Sequence, residues 1–256
     1  MIDHKTLKVF LDEKHDQYNR PEFITDDPIS VPHLFKQKED IEIAGLLTAT
    51  IAWGNRRSII NNAKALLRRT DFAPFDFVKN SSEADLEVFA NFVHRTFNGS
   101  DCIYFWKALQ NIYNNHGGLE SVFHKGFEKE LSIKSAISHF RNIFFSMAHP
   151  EHVRKHVADP EKNASAKRLN MFLRWMARGD DRSVDFGLWK KIPASALMCP
   201  LDVHTGNVGR KLGLLCRKAN DWKSVEELTE GLRNFDPNDP VKYDFALFGL
   251  GIYEKF

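Results

Sequence analysis

The stretch of this chain most suggestive of chemistry is Cys199-Pro200-Leu201-Asp202-Val203-His204-Thr205-Gly206-Asn207-Val208-Gly209-Arg210-Lys211-Leu212-Gly213-Leu214. Pro200 ends a loop, Asp202 stands where a helix begins, and Gly206 and Gly209 strip side chains from one face of that helix. A glycine inside a helix costs about 1 kcal/mol against alanine, so two in one helix require something that approaches the backbone closely. The Asp202 carboxylate can cap the helix, or it can face a substrate on which positive charge develops. Both readings stand on these residues. Other constellations fall away. His152 and His156, at i and i+4, put two imidazoles on one helical face, but no Glu lies between them and no third ligand suggests itself. They read as surface histidines, and no metal is expected. Phosphate-cradling Gly-x-Gly-x-x-Gly and Gly-Lys-Ser/Thr loops and a Gly-x-Ser-x-Gly elbow are absent, which removes the common nucleotide-binding and acyl-transfer classes. Cys102, Cys199 and Cys216 are widely spaced, without a Cys-x-x-Cys pair, and predict three reduced thiols and no cofactor.

The elements that must position Asp202 read as helices. Ile41, Ala44, Gly45, Thr48, Ala49 and Ala52 keep an apolar or small stripe at helical spacing, and Ile59, Ile60, Ala63, Leu66 and Leu67 resume it after a turn at Gly54. Further helical patterns cover Ala84–Phe97, Asp101–Asn114, Leu119–Lys125, Ile133–Phe145, Ser165–Arg178, Asp202–Leu214, Trp222–Arg233 and Val241–Phe256. No β-branched alternation is long enough to anchor a sheet. The expectation is an all-α protein of eight to ten helices. It divides into one lobe over about 30–145 and a second formed by 1–29 with 146–256, with a hinge at Ala148–Pro160.

With 256 residues, 43% hydrophobic and 27% charged, the chain has the composition of a folded domain rather than a disordered or fibrous one. No apolar run reaches the roughly 18 residues a bilayer span needs, and the N-terminal residues lack a secretory h-region, so a cytoplasmic, nucleoid-associated protein away from membranes is expected. Net charge is only +2, but Glu151–Asn220 holds 14 Lys/Arg against 7 Asp/Glu. A basic segment in a near-neutral chain is the footprint of a polyanion partner, or else a solvated face.

Pro200-x-Asp202-x-His204 followed by Arg210-Lys211-Leu212-Gly213-Leu214 resembles, without a gap, the stretch that bears the catalytic Asp in the helix-hairpin-helix superfamily of DNA glycosylases. Gly45–Ser58 is similar to the second-helix segment whose end inserts a residue into DNA, although Ile51-Ala52-Trp53 replaces the usual Ser-x-Gln. The Pro-Gly-x-Gly hairpin of bifunctional members is missing. Instead Ser165-Ala166-Lys167-Arg168-Leu169-Asn170-Met171-Phe172 opens a helix 35 residues before Asp202, a layout similar to the archaeal 8-oxoguanine glycosylases. Tyr243–Gly251 resembles that group's final helix, in which an Asp and an aromatic one turn later contact the flipped base. The chain is also identified as a member of a bacterial family of unassigned function.

The resemblance implies two helical lobes with a cleft between them, and a monomer that excises an oxidised purine such as 8-oxoguanine from double-stranded DNA. Lys167 would be the Schiff-base nucleophile and Asp202 the carboxylate. Lysine is protonated at its ordinary pKa, near 10.4, so cations would be needed beside it; Arg168, Arg174, Arg178, Arg210 and Lys211 are the candidates. Trp53, Met171, Trp175 and Phe248 are candidates to stack on the extruded base, with Asp244 hydrogen bonding to it. Asn55 and Arg56 would fill the gap in the duplex. Lys162, Arg168, Arg210, Lys211 and the amides of residues 163–166 would hold DNA phosphates. The alternatives are a non-catalytic nucleic-acid-binding relative of the same fold, and an all-α scaffold whose charges only solvate it.

Overall fold

The computed structural model describes residues 3–256, of which the great majority lie in helix, 64% against 2% in strand. The all-α expectation is met. In chain order the helices are α1 (His4–Tyr18), α2 (Pro21–Thr25), α3 (Lys38–Thr50), α4 (Arg56–Arg68), α5 (Pro74–Asn80) and α6 (Gly99–Asn115). They continue with α7 (Gly118–Glu130), α8 (Ile133–Phe144), α9 (Lys167–Ala177), α10 (Val203–Lys211), α11 (Trp222–Arg233) and α12 (Tyr243–Ile252). A short hairpin, β1 (Val93–His94) and β2 (Phe97–Asn98), precedes α6. Among the described residues no helix is long and apolar enough to cross a membrane.

Two compact units divide the chain. One spans Ile24–Ala158; the other joins the residues up to Phe23 with Asp159–Phe256. The divisions fall at 23/24 and 158/159, where the sequence reading places them at 29/30 and 145/146.

In the continuous unit, α7 and α8 close on each other because Gly126 has no side chain: a Cβ there would lie 2.6 Å from His139 Cβ and 2.8 Å from Ala136 Cα. Phe123 and Phe140 stack at 4.4 Å in that core. Ala84–Phe97 corrects an expectation. In place of one helix, the chain makes a 3-10 turn at Asp85–Phe89 and then the hairpin, with Val93 opposite Asn98 and His94 opposite Phe97. Phe89, Phe92 and Phe97 are all buried, Arg95 takes a left-handed φ of 56° to turn the chain between the strands, and Gly99 lets the chain fold back on Ala90, whose carbonyl oxygen lies 1.9 Å from where a Cβ would be.

In the discontinuous unit, Asp3 caps α1 by accepting from the amides of Lys5 and Thr6. This helix then buries Leu7 and Leu11 in a core with Val208 of α10, Leu228 of α11 and Leu247 and Leu250 of α12. α12 can lie against α1 because Gly249 leaves room for the ring of Tyr18.

Candidate active site

The approach to α9 is held by side chains distant in sequence. Asn163 adopts a left-handed φ of 62°, which asparagine tolerates, and pins the loop to the start of α11. Its carbonyl accepts from the Trp222 amide at 3.1 Å, and its Nδ2 donates to Asp221 Oδ2 at 3.0 Å. Ala166 is also left-handed and gives α9 no side-chain cap. Lys167 is therefore the first residue of α9, and its half-buried amine reaches along the helix to Met171 Sδ at 3.7 Å. Leu169, Phe172 and Met176 anchor the opposite face in the core.

Asp202 follows the buried residues Cys199 and Leu201, the former fixed by its amide donating to Thr229 Oγ1 at 3.0 Å. Its carboxylate divides its work. Oδ1 caps α10 by accepting from the Thr205 amide at 3.0 Å, while Oδ2 lies 3.8 Å from Lys167 Nζ. Both side chains keep about a quarter of their surface open, 25% for the lysine and 28% for the aspartate. Amine and acid, 35 positions apart in sequence, thus face one another at the starts of two helices.

Beneath them lies Asp244, in the first turn of α12 and 6% exposed. One oxygen accepts from Arg174, and the other lies 3.8 Å from Cys199 Sγ. Burial pushes its carboxyl up to about 6; Arg174 and Lys167 pull against that shift, whereas Asp202 and Asp185 reinforce it. Arg174 also pairs with Asp185 at 3.3 Å, and Arg178 pairs with Asp185, Asp180 and Asp239 at 3.0, 2.8 and 2.9 Å. Four carboxyl groups thus surround two buried guanidiniums.

That arrangement corrects the expected cationic surroundings of Lys167, because Arg174 and Arg178 are committed to aspartates. Arg210 has a structural role as well: it donates to the carbonyls of Arg217, Lys218 and Ala219 and to Asn220 Oδ1, closing the loop after α10. The close approach required at Gly206 comes from within the protein: a Cβ there would lie 2.7 Å from Asn220 Oδ1 and 2.9 Å from Arg210. Gly209 makes room for Leu228.

Of the other expected residues, Trp175 is wholly buried, with its indole N–H unpartnered, so it is a core residue with no face for a base. Met171 is 9% exposed beside the lysine, and Phe248 is half-buried with its ring edge-on to Phe23 at 6.0 Å. Asp244, expected to bond a base, is occupied by Arg174. Lys162 and Lys211 are exposed, and Arg168 is half-buried, its guanidinium lowered to about 10 by burial. Trp53, Asn55 and Arg56 belong to the continuous unit. There Trp53 stacks on His156 at 6.1 Å, and Asn55 caps α4 through the Ser58 amide at 3.2 Å. Arg56 is half-buried. His156 and His152 are not a free surface pair: their Nε2 atoms lie 3.1 and 3.2 Å from the fully buried Asp101.

Sequence reasoning missed Asp185, Asp239 and Asn170. Asn170 sits one turn after Lys167, 1% exposed, and its Oδ1 is buried without a hydrogen bond. The available signal was an amide on the apolar face of an otherwise regular amphipathic helix. Residues 27–253 match the family described as a protein of unknown function, DUF2400, and the chain belongs to that family. No curated protein and no solved structure matches it.

Proposed function

We propose that this member of the DUF2400 family is a base-excision DNA glycosylase with AP-lyase activity, acting on an oxidised purine such as 8-oxoguanine in duplex DNA. The observation that carries the reading is the 3.8 Å approach of Lys167 Nζ to Asp202 Oδ2, with both groups partly open to solvent. Cleaving a base from deoxyribose builds positive charge at C1′, which a nearby carboxylate stabilises. Lys167 adds to C1′ as the bond to the base nitrogen breaks, and the electron pair leaves with the base, which takes up a proton. Lysine attacks only as the neutral amine, so Lys167 first passes a proton to Asp202 Oδ2, the oxygen not engaged in the cap, which hands it to the departing base; the second proton, shed as the bond to C1′ forms, follows the same path to O4′. Ring opening with protonation of O4′ leaves an iminium at C1′. Loss of a 2′ proton then expels the 3′ phosphate and nicks the strand.

Borohydride reduces that iminium, so a covalent protein–DNA product is expected with an 8-oxoguanine duplex, and Lys167→Gln should abolish it. Absence of a trapped product, where a control glycosylase gives one, removes the lyase reading. One observation favours the non-catalytic relative: Trp175 is enclosed and Asp244 is bound to Arg174, so two of the expected base contacts are taken. Under that reading duplex binding survives without trapping, and Lys167→Gln leaves it unchanged.

A further inference from the structure

We propose that the exposed face of α4 is a second phosphate-binding surface, a ridge that grips the backbone of duplex DNA. Between Glu42 and Asp71 the chain holds no acidic residue but five cations, Arg56, Arg57, Lys64, Arg68 and Arg69. Arg57, Asn61, Lys64 and Arg68 recur at i, i+4, i+7 and i+11, which places them on one face of α4. The opposite face buries Ile59, Ala63 and Leu66. At about 1.5 Å of rise per residue the ridge runs about 16 Å. Each strand of a duplex offers a phosphate about every 3.4 Å along its axis, so several come within reach.

Two observations separate this ridge from an ordinary solvated face. First, its charges are uncompensated. Arg69 is committed, donating to the Val88 carbonyl at 2.5 Å and covering the Phe92 ring, whereas no carboxylate among the described residues pairs with Arg57, Lys64 or Arg68. Second, the helix begins with two arginines and no acid in its first turn, and cations there oppose the helix dipole. Bound phosphate relieves that repulsion. The hairpin adds to the same end: exposed Arg95 lies against Gly54, its guanidinium 2.5 Å from where a Cβ on that glycine would be. A membrane surface fits less well, since helices that lie on bilayers place bulky apolar residues beside their cations, and those of α4 face the core.

The duplex partner follows the repair reading, but the ridge does not depend on Lys167. The test uses the full chain and a labelled, undamaged 20-base-pair duplex. Arg57→Glu/Arg68→Glu should weaken binding at least tenfold at about 100 mM salt, and the slope of log affinity against log salt should become shallower by about 2. An unchanged melting temperature shows that the variant folds; otherwise Arg57→Gln/Arg68→Gln gives the same reading with a smaller loss. Duplex binding and its salt slope are measured on undamaged DNA without borohydride, so a failed trapping experiment leaves the ridge standing. Unchanged affinity and slope in the double variants overturn the proposal. So does a loss confined to vesicles containing phosphatidylserine, with duplex binding intact.

Discussion

At Asp202 a single carboxylate serves two neighbours, and the two roles separate by substitution. Asparagine keeps a cap oxygen for the Thr205 amide but loses the charge that faces Lys167. Asp202→Asn should therefore unfold within a few tenths of a kcal/mol of wild type while its trapping rate falls by about 100-fold or more. Asp202→Ala should lose about 1 kcal/mol besides. Urea unfolding and single-turnover trapping measure the two effects, and equal activity of Asp202→Asn and wild type would reduce Asp202 to a cap. Asp244 makes a prediction of unusual sign. Its folded-state pKa, near 6, lies above the ordinary 3.8, so the folded protein holds that proton more tightly than the unfolded chain does. Its contribution is absent below about pH 4 and becomes unfavourable as pH rises to 6, by up to about 3 kcal/mol. The stability advantage of wild type over Asp244→Asn should accordingly shrink between pH 4 and pH 6. An advantage that grows over that interval would show the carboxyl to be held low instead.

Among the elements, α10 is shaped by what its glycines admit. Alanine in a helix interior ordinarily gains about 1 kcal/mol over glycine. At Gly206 the new Cβ would lie under 3 Å from Asn220 Oδ1 and an Arg210 guanidinium nitrogen; these tips are tied by hydrogen bonds to each other and to the Asp202 carbonyl, so Gly206→Ala should displace them and destabilise by about 1 kcal/mol, a fall of a few degrees in melting temperature. Because Asn220 also donates to the Asp202 carbonyl at 3.1 Å, trapping should weaken with it. A higher melting temperature for the variant would contradict this packing. The same helix shows how far periodicity reaches: the spacing of its residues announces a helix after Pro200, but only the folded loop reveals that Arg210 holds it. The span at 84–97 is the opposite case, where a helical pattern yields to a hairpin turned by a left-handed arginine.

For the whole molecule, the interleaved units predict unequal fragments. Ile24–Ala158 is continuous and carries its own core, so residues 24–158 expressed alone should unfold cooperatively with dispersed amide resonances. Residues 159–256 lack α1, whose Leu7 and Leu11 are completely or nearly buried against Leu247 and Leu250, and should be molten or insoluble until a peptide of residues 1–23 is added. Cooperative folding of 159–256 without that peptide would show α1 to be dispensable.

The amino-acid sequence by itself determined the helical class, the span of α11 to the residue and the capping position of Asp202, because propensity, apolar spacing and capping act within a few residues. It did not determine which partners the charges take. Arg174, Arg178 and Arg210 read along the chain as basic residues near a lysine, whereas their partners Asp244, Asp239 and Asn220 are 10 to 70 positions away. Coulomb and hydrogen-bond energies depend on distance through space. Only the tertiary structure could decide that two of these guanidiniums are neutralised in a buried network while Lys167 faces Asp202.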